Sequence, residues 1–261
     1  MPSTPLVSVV VPTQGRPELA RALTSVLAQD LDAGTPGSVE IVVVADLPDG
    51  VLAPPPQLRA HDRFVVTGGR TGGGNARNTG IATATGRWIA FLDDDDAWAP
   101  QKLRRQVEAA ERLLADGVRP LVACRHVHVD GVSGARSEAA PTRLCAPDQP
   151  IADYLFRARR PGGGRASLYT STLLVAADDA RACRWDPSLP RHQDWDWVLR
   201  LEQAGLRLHQ VPDALVDIHV GSSGSISAGA DWSSSLAWAD AALRVREPRA
   251  YVDFVTAQTL R

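Results

Sequence analysis

Trp88-Ile89-Ala90-Phe91-Leu92-Asp93-Asp94-Asp95-Asp96-Ala97-Trp98-Ala99-Pro100 decides how this 261-residue chain is read. The run Trp88–Leu92 is uninterrupted and apolar, as a strand buried on both faces requires. Four adjacent carboxylates follow it directly, and they repel one another unless solvent or a cation compensates. Pro100 suits the first turn of a helix, so the acidic run lies at a strand-to-helix crossing. In parallel sheets, ligands sit beyond the carboxyl ends of the strands. A divalent cation is the natural partner there, and hard oxygen ligands suit Mn²⁺ or Mg²⁺, which also bind diphosphate oxygens. A solvated acidic turn is the competing reading.

Working outward, Val7–Val11 and Val39–Val44 are two more β-branched runs, ending at Pro12-Thr13 and Ala45-Asp46, and Arg63–Val66 is a further short strand. Pro17–Gln29 carries Leu19, Leu23, Val26 and Leu27 at helical spacing, and Gly72–Thr85 reads as a loop entering a helix. Pro100–Ala115 is strongly periodic. Alternating strands and helices predict an α/β fold with a mainly parallel, Rossmann-like sheet covered on both faces. In the second half, strands are expected at Leu121–Val129, Thr172–Ala176, Leu206–Val211 and Leu215–Val220, with helices at Ile151–Ala158 and Gln193–Gln203. The Gly-rich Arg160–Arg165 and the Ser/Gly-rich Gly221–Ala230 read as loops able to close over a ligand, and Asp231–Val245 as a helix.

The bulk properties exclude several classes. Formal net charge is -2, so there is no general electrostatic case for nucleic acid. Three widely spaced cysteines form neither a metal-binding CxxC pattern nor an even disulfide set, as expected of reduced thiols in the cytoplasm. The N-terminus lacks the features of a signal peptide, and no apolar run approaches the roughly 18 residues a membrane span needs. A soluble cytoplasmic protein follows, with peripheral membrane attachment as the other placement.

FLDDDDAWAPQKL resembles the Asp-x-Asp segment of inverting family 2 glycosyltransferases with the GT-A fold. Three other stretches are similar to that family in the same order: VSVVVPTQGRP, GGGNARNTGIATATGRWIAFLDDDD and RHQDWDWVLRL. The resemblance implies a GT-A domain over residues 1–220, with a nucleotide-sugar-binding half (1–120) and an acceptor-binding half (121–220), and a C-terminal helical extension over 221–261. It implies transfer of a hexosyl group from a UDP- or dTDP-sugar to a carbohydrate or small-molecule acceptor, assisted by Mn²⁺ or Mg²⁺.

Residue roles follow from the same resemblance. Pro12, Thr13 and Arg16 lie in the first nucleotide loop. Asp46 is similar to the carboxylate that accepts a hydrogen bond from a pyrimidine N3–H, although a turn residue before Pro48 is the plain alternative. Arg77 suits a diphosphate or a structural ion pair. Asp95 is implied as the metal-binding carboxylate, with Asp93 as the first member of the pair and Asp94 near ribose or sugar. His219 is implied as a further metal ligand. Asp194, otherwise a helix-capping residue, is implied as the general base, with Asp196 as a second choice. The family usually has Glu where this chain has Gln193. A sugar nucleotidyltransferase is the runner-up enzyme class, but its Gly-rich, basic N-terminal signature is missing. A non-catalytic nucleotide-sugar-binding module is the third reading. Oligomeric state is not legible in the sequence.

Overall fold

In the computed structural model, which describes residues 4–31, 37–157, 165–221 and 232–259, the apolar runs assemble into one eight-stranded sheet. Strands β1 (Val7–Thr13), β2 (Val39–Ala45), β3 (Arg63–Val66) and β4 (Trp88–Phe91) lie in the order β3-β2-β1-β4 and are all parallel. Successive side chains of a strand point to opposite faces, so Val10, Val42 and Phe91 feed one apolar cluster. Val9, Ile41 and Ala90 feed the other. Helices α1 (Leu19–Leu27) and α3 (Lys102–Ala115) cover the second cluster, while α2 (Gly73–Thr83) covers the first. In α1 the covering face is Leu19, Ala22, Leu23 and Val26, a single helical stripe.

The second half adds the mixed part of the sheet. Strand β7 (Leu174–Ala176) runs antiparallel between β4 and β6 (Pro120–Asp130), and β6 pairs in parallel with β8 (Arg207–Val220). The two-residue strand β5 (Ala97–Trp98) pairs antiparallel with β8, Ala97 facing Asp217 and Trp98 facing Val216. The chain therefore passes from β4 through the acidic run straight onto the far edge of the sheet. Just before this pairing, Asp96 reaches β8 by accepting from the His219 backbone N–H.

Three short helices, α4 (Ile151–Phe156), α5 (Ala177–Ala182) and α6 (Gln193–Gln203), precede α7 (Trp232–Ala242) and α8 (Pro248–Thr259). Trp238, Leu243 and Phe254 of the C-terminal segment join the cluster that holds Trp197 of α6, so this segment packs on its own domain. Two expectations need correction. The predicted strands Leu206–Val211 and Leu215–Val220 are one strand, because Pro212 and Asp213 fall at a register irregularity opposite Cys124 and Arg125 rather than in a turn. Within the expected C-terminal helical extension a helix was placed only at Asp231–Val245, whereas a second one, α8, also forms. The predicted Gly-rich loop at Pro161–Gly164 and most of the one at Gly221–Ala230 lie outside the described residues. Among the described residues, no helix is long and apolar enough to cross a membrane.

Gly80 fixes how closely α2 approaches β1. A Cβ there would lie 2.3 Å from Val10 Cγ1. Alanine would gain up to about 1 kcal/mol in helix propensity, but overpacking costs about 1–3 kcal/mol, so the clash wins. Gly80→Ala is expected to lower the urea midpoint of unfolding; an unchanged or raised midpoint would contradict this packing.

Candidate active site

The acidic run forms a turn between β4 and β5, closed by the Asp96 N–H donating to the Asp93 carbonyl at 3.1 Å, and its side chains alternate in burial. Asp94 and Asp96 turn inward, with 7% and 4% exposure, while Asp93 and Asp95 remain half-buried at the surface. The inward pair is held by hydroxyls. Thr13 Oγ1 donates to Asp94 Oδ2 at 2.6 Å, and Ser171 Oγ donates to Asp96 Oδ2 at 2.5 Å. Asp96 Oδ1 also accepts from the His219 backbone N–H at 3.1 Å, tying the run to β8. Burial pushes the Asp96 carboxyl well above the usual carboxylate range, and the charge of Asp93 adds to this. Burial raises Asp94 too, against the opposing pull of Thr13 and Arg16.

The outward pair is held by guanidinium groups. Arg16 Nη1 lies 2.8 Å from Asp95 Oδ2, and Arg77 Nη2 lies 2.6 Å from Asp93 Oδ1. Arg21, which the sequence analysis does not single out, donates from Nη2 to the Asp95 carbonyl at 2.5 Å. These cations supply much of the compensation that four adjacent carboxylates need.

The run is supported from behind by the single turn Thr170–Thr172, whose carbonyls accept from Trp98 Nε1 (Ser171 O, 2.9 Å) and Gln106 Nε2 (Thr172 O, 2.8 Å). Ser171 Oγ also accepts from the Asp93 N–H at 3.1 Å. Lys102 is fully buried beneath this support, its ammonium 3.8 Å from the Trp98 ring centroid and 2.6 Å from Gln106 Oε1. Burial pulls its pKa down to about 8.

At the end of β2, Asp46 is nearly enclosed. Its Oδ1 accepts from Thr67 Oγ1 (2.6 Å), Thr71 N (2.8 Å) and Thr71 Oγ1 (2.8 Å), while Oδ2 accepts from Gly72 N (2.9 Å). Burial acts to raise its pKa, but these hydrogen bonds together outweigh it and hold the carboxyl below the usual range. Asp46 is thus ionised at neutral pH. It shapes the Thr67–Gly72 turn and retains acceptor capacity on Oδ2. Gly72 takes φ +87, which a side chain rarely allows.

Across the crevice stands α6. Asp194 lies in its first turn and is half-buried; Oδ1 accepts from the Trp195 N–H at 2.9 Å. Burial raises its pKa to about 6, against the Trp195 N–H and the Arg77 charge. Asp196 is engaged elsewhere, 2.7 Å from Arg200 Nε. Gln193 Oε1 accepts from Arg77 Nη1 at 3.3 Å, and Gln193 Nε2 donates to the Leu189 carbonyl at 2.6 Å. The amide therefore keeps the acceptor that a glutamate would offer Arg77, without adding a charge. His192 precedes the helix at φ 58, stacks on Trp195 at 4.7 Å between centroids, and has Nε2 2.8 Å from Ser235 Oγ of α7.

Hydrogen bonds thus link Thr13 to Asp94, Arg16 to Asp95, and Arg77 to both Asp93 and Gln193 of α6, beside Asp194. Asp96 ties the run to His219 of β8, and the Asp46 N–H bonds the Thr13 carbonyl at the neighbouring strand end, where Pro12 also lies. No three His, Cys, Asp or Glu side chains cluster as a ready cation site among the described residues. His219 Nδ1 is buried without a hydrogen-bond partner, and burial with the nearby Arg21 lowers its pKa, while the Asp95 charge acts the other way. A neutral imidazole beside a carboxylate fits a cation that takes its remaining ligands from phosphate and water. The three cysteines are free thiols.

A model of glycosyl transferase family 2 matches residues 8–141. The amylovoran biosynthesis glycosyltransferase AmsB of Erwinia amylovora is 32% identical over 179 residues, covering 68% of this chain and 57% of that protein. The succinoglycan biosynthesis protein ExoO of Rhizobium meliloti is 31% identical over 220 residues, covering 80% of this chain and 58% of that protein. This chain therefore spans somewhat more than half the length of these two relatives. Among solved structures, S. aureus TarS 1–349 in complex with UDP-GlcNAc matches 97% of this chain and 71% of its own, with a TM-score of 0.65 at 16% identity. The same TarS fragment in complex with UDP matches with a TM-score of 0.60 at 18% identity. At such identities the likeness speaks for the GT-A fold alone. The chain belongs to glycosyl transferase family 2.

Proposed function

We propose that this protein is an inverting glycosyltransferase that moves a hexosyl group from a UDP- or dTDP-sugar to an acceptor hydroxyl, with Asp194 as general base. The observation that carries the reading is the pairing of two sites across one crevice. On one side, surface carboxylates and arginines meet at a strand end; on the other, Asp194 stands in the first turn of α6 beside Gln193, which accepts from Arg77, and burial raises its carboxyl pKa. The solved relatives bound to UDP and UDP-GlcNAc support the donor class by analogy.

The nucleotide lies along the ends of β1 and β2. Asp46 Oδ2 accepts from the pyrimidine N3–H, which favours uracil or thymine over cytosine, and Pro12 and Thr13 form the floor. Asp94 reaches the donor through Thr13, which it orients, while Asp93 faces ribose or sugar. Arg16 and Arg77 exchange part of their hold on Asp95 and Asp93 for the diphosphate, which a guanidinium binds as readily as a carboxylate. Asp95 and His219 would hold Mn²⁺ or Mg²⁺, whose chemistry is to stabilise negative charge on the diphosphate leaving group. Asp194 takes the proton from the acceptor hydroxyl as its oxygen attacks the anomeric carbon. Attack opposite the leaving diphosphate breaks the C1–O bond in one step and inverts that centre. The likeness to polysaccharide-biosynthesis proteins points to a carbohydrate acceptor.

Asp194→Asn is expected to slow hydrolysis of UDP-hexose by about 10²–10⁴-fold, with UDP affinity within about twofold of wild type. The wild-type rate should fall with unit slope below about pH 6, since the base must be ionised. Hydrolysis unchanged in the variant would remove Asp194 from the chemistry. Stability gives a separate test. A carboxyl whose folded pKa is raised destabilises the fold when ionised; the penalty is absent below its unfolded pKa and complete above the folded one. Asp194→Asn should therefore raise Tm at pH 7.5 and leave it nearly unchanged at pH 3.5. For the cation, His219→Ala should weaken Mn²⁺ binding in the presence of UDP at least tenfold by electron paramagnetic resonance; equal binding would take His219 out of the ligand set.

A further inference from the structure

One cluster beside the crevice has no part in the reading above. His126 and His128 of β6 and Tyr169 form a tight polar-aromatic group. The Tyr169 ring stands 4.7 Å from His126 and 5.6 Å from His128, both edge-on, and the Tyr169 hydroxyl is 3.1 Å from His128 Nε2. His126 is fully buried and neither ring nitrogen has a hydrogen-bond partner. It serves as the wall that fixes the tyrosine ring. Tyr169 and His128 themselves are only half-buried, so a ligand can reach them.

The place of Tyr169 is set by chain geometry. The Thr172 N–H and hydroxyl bond to the Tyr169 carbonyl at 2.9 and 2.6 Å, and Ser171 of the same turn grips Asp96 and the Asp93 backbone. The tyrosine is thus anchored to the acidic run itself. Burial first, then the charges of Asp194 and Asp96, raise its pKa, so both carboxylates lie within electrostatic reach of the hydroxyl. In the proposed reaction, the group lying between the diphosphate and the base is the donor hexose.

We propose that the Tyr169 hydroxyl, oriented by His128, hydrogen-bonds a hydroxyl or acyl oxygen of the donor hexose and so helps select which sugar is transferred. Tyr169 makes the sugar contact, and His128 is a positioning residue. The inference rests on the nucleotide-sugar reading above, and the test separates the two.

Calorimetric titrations would compare UDP and dTDP with UDP-glucose, UDP-galactose, UDP-N-acetylglucosamine and dTDP-glucose, on wild type and Tyr169→Phe. The variant is expected to bind the parent nucleotide within about twofold of wild type. It should bind the preferred nucleotide-hexose about five- to tenfold more weakly, as loss of one hydrogen bond implies. His128→Phe should reproduce part of that selective loss, and His128→Gln should lie nearer wild type. A merely structural role would weaken both ligand types together. Equal losses for nucleotide and nucleotide-hexose, or no loss for either, would overturn the assignment of Tyr169. Failure of the wild-type protein to bind any of these nucleotides would instead overturn the donor reading.

Discussion

Compensation of the acidic run organises this molecule. Four consecutive carboxylates at a strand end are tenable only because each has a partner from a different part of the chain. Thr13 comes from β1, Arg16 from the loop after it, Arg77 from α2 and Ser171 from the turn before β7. Satisfying these partners draws β1, α2 and β7 around one point. The same run then enters β5, whose pairing with β8 delivers His219. Alternation in burial separates the carboxylates: the inward pair holds structure together and the outward pair stays accessible.

A site with this electrostatic balance suits a donor that carries its own charge. Ion pairs between partly exposed groups contribute little to stability, about 0–1 kcal/mol each, so Arg16 and Arg77 can change partners at small cost. Asp194 has the opposite character. Burial raises its pKa and it has no close ion pair among the described residues, whereas Asp196 two residues on is tied to Arg200. That contrast separates two aspartates which sequence alone leaves as first and second choices. In the proposed role Asp194 sets function against stability, since an ionised carboxyl in this place opposes folding.

The nucleotide-binding half was legible in the sequence because its signals are local. Short β-branched runs such as Val7–Val11 and Val39–Val44, each carrying a single polar residue and bounded by turn signals, read as strands of a buried parallel sheet, and the residues at their ends follow from the strand-end rule. Partner choice was not legible. Thr13 and Asp94 are 81 residues apart, and Arg16 and Asp95 are 79 apart, so no local pattern encodes either pair. Pro212-Asp213 has the composition of a turn, yet the neighbouring strand β6 carries the chain through it. Arg21, Tyr169 and His128 carry no motif, and only folding brings them to the crevice. Helix α8 went unread because its pattern is weak and its stability comes from packing against α4 and α7.

The most direct test of the account is a crystal structure of the protein with UDP and Mn²⁺. The account predicts the uracil against Asp46 with the diphosphate beside Arg16, Arg77 and Asp95 at the carboxyl edge of β1 and β4. A nucleotide bound anywhere else on the molecule, with this crevice empty, would contradict it.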